Sequence, residues 1–100
     1  MHRRLAIDDT TLAGYCERHH IRQLSLFGSR LKGTARPDSD VDLLVEFDAN
    51  AVPTLFDMAA MEQELSHLLG GLQVDLRTAQ DLSRYFRDEV VRTAEVQYAR

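Results

Sequence analysis

The sequence predicts an α/β (α+β) fold, a small mixed β-sheet packed with helices. Three observations carry this expectation. Short runs with strand-type alternation occupy roughly 21–28, 41–47 and 72–78. Apolar residues between and around them recur at spacings of three and four. Gly, Pro, Asn and Asp mark the joins.

Asp8-Asp9-Thr10-Thr11 offers capping side chains, and Leu12, Tyr15, Cys16 and His19 follow at helical spacing, so a first helix is expected over roughly 9–20. In IRQLSLFG, Leu24 and Leu26 share one strand face and Ser25 and Phe27 the other. Gly28 to Asp40 reads as a turn or short helix followed by a loop. VDLLVEF then forms a strand with Val41, Leu43 and Val45 toward the core. Asn50 and Pro53 open a helix over roughly 52–69, with the stripe Leu55, Met58, Met61, Leu65 and Leu68. Gly70-Gly71 ends it. LQVDLRT is a third strand, sending Leu72, Val74 and Leu76 inward and Gln73, Asp75 and Arg77 outward. A final helical region is expected over roughly 79–98, anchored by Leu82, Phe86, Val90 and Val91.

One domain over residues 1–100 is expected from the length, with no repeat or linker-like run. The mix of 44% hydrophobic and 28% charged residues is that of a soluble globular protein. No apolar run approaches the roughly 20 residues of a membrane span. The start turns acidic too soon for a signal peptide, so a cytoplasmic location is expected. The single Cys16 cannot close an internal disulfide and falls on an apolar helix stripe, as a buried structural thiol would. Residues 1–36 carry seven Lys/Arg against three Asp/Glu, and residues 37–100 carry five against thirteen. The net charge of −4 argues against direct nucleic-acid binding. A basic stretch running into an acidic one suits a polyphosphate beside its metal ion.

The chemistry concentrates in GSRLKGTARPDSDVD, residues 28–42. Side chains two apart on a strand point the same way, so Asp40 and Asp42 project together while Val41 enters the core. Two carboxylates this close repel each other, and a divalent cation offsets the repulsion. Oxygen-only donors select a hard ion, magnesium or manganese. Asp75, on the outward face of its strand, is a third acid if the two strands are neighbours. Three acids can hold two metals for in-line displacement at phosphorus, with Asp75 assisting deprotonation of the attacking hydroxyl directly or through a metal. Gly28 permits close backbone approach to a phosphate, and Ser29 and the backbone N–H groups can cradle its oxygens. Arg30, Lys32 and Arg36 are candidate partners for the transferring charge.

With ten Asp in the chain, an Asp-x-Asp pair alone is expected about once by chance. The joint pattern of strand, Gly-Ser turn, short basic gap, acid pair and later lone acid is far more specific. A calcium loop beginning at Asp38 fails, because its sixth position is Leu43 rather than Gly and its twelfth is Ala49 rather than Glu.

Gly28-Ser29, ten intervening residues and Asp40-Val41-Asp42 resemble the signature of the polymerase-beta-type nucleotidyltransferase superfamily. The short length and the run from Leu55 to the end resemble the minimal nucleotidyltransferase (MNT) antitoxins. The resemblance implies the minimal nucleotidyltransferase fold and a magnesium-dependent transfer of AMP from ATP (AMPylation). It implies Asp40 and Asp42 as the metal-binding catalytic pair, with Asp75 as the third acid. It also implies a partner, a HEPN-domain RNase toxin modified on a tyrosine and held in a hetero-oligomer with its antitoxin. Two alternatives stay open: a silent nucleotide-binding antitoxin acting by occlusion, and an adenylyltransferase acting on a small molecule. His2, His19, His20 and His67 are assigned to structural or surface roles, and the tyrosines to packing.

Overall fold

A computed structural model describes residues 5–28 and 40–100. Helix α1 (Asp9–Arg18) begins where Asp8 accepts a hydrogen bond from the Thr11 backbone N–H, and ends two residues short of the expected 9–20. Strand β1 (Ile21–Phe27) is followed by β2 (Val41–Phe47), helix α2 (Leu55–Leu68) and strand β3 (Val74–Arg77). A single 3₁₀ turn (Ala79–Asp81), helix α3 (Arg87–Thr93) and strand β4 (Glu95–Ala99) complete the chain.

The sheet has the order β3-β2-β1-β4, so the fold is the mixed α/β architecture that was expected. β1 runs antiparallel to both β2 and β4, whereas β2 and β3 are parallel. The parallel pair is joined by α2, the crossover that such a pair needs. Leu12, Tyr15 and Cys16 of α1 meet Met61 and Leu65 of α2 over Leu24, Leu26, Val41, Leu43, Val45, Val74 and Leu76 of the sheet. The Tyr15 hydroxyl crosses this layer and donates to the Met61 carbonyl at 3.0 Å. Cys16 is buried and in no disulfide, as its place on the apolar stripe predicts. No helix among the described residues is long and apolar enough to cross a membrane.

Three expectations need correction. The last region is not one helix over 79–98: Thr93 turns its hydroxyl back to the Glu89 carbonyl, and Glu95–Ala99 then pair with β1 as a fourth strand. Ordering that segment along β1 satisfies the strand's second edge, a non-local gain that helical periodicity cannot reveal. α2 starts at Leu55 rather than near 52, because Thr54 and Asp57 close a reciprocal capping box. Leu55 is 88% exposed and so lies off the core stripe.

Candidate active site

The site is built where β1, β2 and β3 bring their ends together. In β2, Val41, Leu43 and Val45 are buried, and the alternation turns Asp42 and Leu44 to the opposite face. In β3, Val74 and Leu76 are buried, and Asp75 and Arg77 take that same outward face. The parallel register sets Asp42 directly against Asp75, so the two strands are the neighbours that a three-acid arrangement needs. Asp40 is exposed, immediately before β2.

Gly28 closes the approach from β1. Phe27 pairs with Asp42, and the chain then turns at Gly28 with φ 82°, a left-handed value that suits glycine. A Cβ at this position would lie 2.4 Å from Oδ2 of Asp42 and 3.2 Å from its Cβ and Cγ. The missing side chain is therefore the space that the Asp42 carboxylate occupies.

Electrostatics single out the same carboxylate. Burial pushes the Asp42 carboxyl above its ordinary value, and the charges of Asp75 and then Asp40 push in the same direction. Arg77 acts against them. The Arg77 Nε and Nη2 both approach Oδ2 of Asp75 at 3.2 Å, and this ion pair raises the guanidinium above its ordinary value. Glu62 of α2 accepts the Leu76 backbone N–H at 2.7 Å, which pins the strand between Asp75 and Arg77 to the helix beneath. Neither the Arg77 nor the Glu62 contact was foreseen. The spacing of Asp75 and Arg77, two apart on one strand, was the available signal for the first.

Among the described residues, no three His, Cys, Asp or Glu side chains converge as a ready-made metal cage. A magnesium-type ion does not require such a cage, since one or two carboxylates with substrate phosphate oxygens and water suffice. The oxygen donors at Asp40 and Asp42, with Asp42 strained by its acidic neighbours, fit a hard divalent cation. Ser29, Arg30, Lys32 and Arg36, expected to hold the triphosphate, lie outside the described residues.

A cavity of about 640 Å³ adjoins this face farther along the sheet, lined in part by Ser25, Leu44, Thr78, Gln80, Val91 and Val96. His19, at the end of α1, meets Glu64 of α2 at 2.9 Å, and Arg18 pairs with the same carboxylate. Burial raises the Glu64 carboxyl, but the hydrogen bonds from His19 and Arg18 outweigh it and leave the group below its usual value.

Comparisons with known proteins agree with this geometry. Residues 10–100 match the family model described as polymerase beta, nucleotidyltransferase. The protein adenylyltransferase MntA of Thermococcus cleftensis is 45% identical over 60 residues, 60% of this chain and 58% of that protein. The matched part thus spans less than two-thirds of that relative. MJ0435 of Methanocaldococcus jannaschii is 30% identical over 77 residues, 77% of this chain and 80% of its own. A solved structure assigned as a minimal nucleotidyltransferase superposes with a TM-score of 0.68 at 38% identity, covering 85% of this chain and 84% of that one. A toxin–antitoxin structure with AMP-PNP shares the fold, with a TM-score of 0.73 at 21% identity over 94% of this chain and 75% of its own. With the family model spanning residues 10–100, the protein belongs to the polymerase-beta nucleotidyltransferase family.

Proposed function

We propose that the protein is a magnesium-dependent adenylyltransferase that moves AMP from ATP onto a protein hydroxyl, a tyrosine of a HEPN-type RNase toxin, and acts as that toxin's antitoxin. The observation that carries the reading is the register of Asp42 against Asp75, with Gly28 shaped around the Asp42 carboxylate. The MntA relative supports protein adenylylation, and the toxin–antitoxin neighbours support a toxin partner. The HEPN class and the tyrosine rest on the family resemblance.

In this mechanism Asp40 and Asp42 would hold magnesium, with Asp75 completing the set. Gly28, Ser29, Arg30 and Arg36 receive the triphosphate. The acceptor oxygen attacks the α-phosphorus of ATP. The bond from that phosphorus to the bridging oxygen breaks, and pyrophosphate leaves with the electron pair. Asp75 assists the acceptor hydroxyl in losing its proton, by direct contact or through a metal ion. Magnesium, when bound, offsets the phosphate charge and makes the phosphorus more electrophilic.

Transfer of label from ATP carrying a radioactive α-phosphate tests the reading, with magnesium and host lysate present. Wild type is expected to label one protein band. Asp42→Asn should reduce that label by roughly 10²–10³-fold, as expected for losing one transition-state contact. Equal labelling by the variant would sink the mechanism. Magnesium-dependent ATP binding without any protein label would favour occlusion or a small-molecule acceptor.

A further inference from the structure

We infer that Arg77 is the resident counter-cation of the acid cluster: it holds Asp75 while no metal is bound and competes with a metal ion for that carboxylate. The inference rests on the metal-dependent reading above. Its basis is geometric. β3 is four residues long, and its alternation places Asp75 and Arg77 side by side on the face that carries Asp42. Two nitrogens of the Arg77 guanidinium converge on one oxygen, Oδ2 of Asp75, each at 3.2 Å. Across the register Arg77 faces Leu44, and the charges of Asp81 and Asp42 also act on its guanidinium.

The guanidinium occupies Oδ2 and its positive charge repels a cation drawn to the same carboxylate, so the two compete at Asp75. Binding of one must therefore weaken binding of the other by the same factor. The Arg77 and Asp75 side chains are 47% and 35% exposed, so their ion pair is solvent-screened and weak enough for a divalent ion to open. The guanidinium thus lessens carboxylate repulsion in the empty site and withholds the third ligand until a metal competes for it. Arg77 is a positioning residue in this scheme, since it acts through Asp75.

The experiment is a titration of the full chain with manganese, read by the electron paramagnetic resonance of the free ion. It uses wild type, Arg77→Ala, Asp75→Asn and the double variant. Arg77→Ala is expected to bind manganese about fivefold more tightly, the ceiling for opening an exposed pair. In the Asp75→Asn background the same substitution should change affinity by less than about twofold, because the contested oxygen is gone. Unchanged or weaker binding by Arg77→Ala would overturn the inference. So would an equal gain in the Asp75→Asn background, which would reduce Arg77 to a general charge effect. A thermal melt run alongside exposes a purely structural role, recognised by a lowered melting temperature with no gain in manganese affinity. Absence of manganese binding by wild type would overturn the metal-dependent reading itself, and this inference with it.

Discussion

A methyl group at position 28 would stand 2.4 Å from Oδ2 of Asp42, on a residue whose φ of 82° already disfavours any side chain. Gly28→Ala should therefore cost about 1–2 kcal/mol for the left-handed backbone alone. It should also displace the carboxylate, lowering AMP transfer by roughly 10²-fold. Urea denaturation and the label-transfer assay measure the two effects separately. Asp42 itself opposes folding at neutral pH. Its carboxyl is raised by burial and by Asp75 and Asp40, so the folded chain binds the proton more readily than the unfolded one. Its favourable contribution is fully present below 3.8 and is lost as pH rises through the folded value. Asp42→Asn should thus be more stable than wild type at neutral pH and lose that advantage as pH falls toward 3.8, which urea denaturation across the range will show. Stabilisation together with inactivity marks a residue kept for chemistry. The acid pair was legible because a strand's period of two depends only on local sequence. The Arg77 contact was less legible, since whether two outward side chains pair depends on what surrounds them.

At the scale of elements, β3 is an edge strand held from below. Glu62 of α2 accepts the Leu76 amide and ties β3 to the helix between Asp75 and Arg77, beside the core packing of Val74 and Leu76. Glu62→Ala is expected to cost about 1.5–3 kcal/mol, the range for hydrogen bonds to charged groups. It should also speed hydrogen exchange at the Leu76 amide relative to the amides of β2. Uniform protection in both strands would show that the sheet alone fixes β3. The strands β1, β2 and β3 could be read from alternation and α1 from its capping acids. β4 could not, because Val96 and Tyr98 merge with the helical spacing of Phe86 and Val90 and their partner β1 lies some seventy residues earlier in the chain. The start of α2 was misplaced because Pro53 suggested an opening, whereas the Thr54–Asp57 capping box sets it.

At the scale of the whole molecule, one face of the sheet is closed by α1 and α2 and the other carries the acids. Such a division separates stability from chemistry, and it predicts that binding and catalysis can be uncoupled. Asp42→Asn should still co-purify with the partner toxin while failing to modify it. Loss of co-purification would make the acid pair part of the docking surface instead. The central claim, that these carboxylates direct attack at the α-phosphorus, is tested most directly by offering ATP labelled at the α-phosphate or at the γ-phosphate in parallel. The account predicts that the partner retains only the α label, with the γ label released as pyrophosphate. Retention of the γ label on the partner would contradict it, since the reaction would then be phosphoryl rather than nucleotidyl transfer.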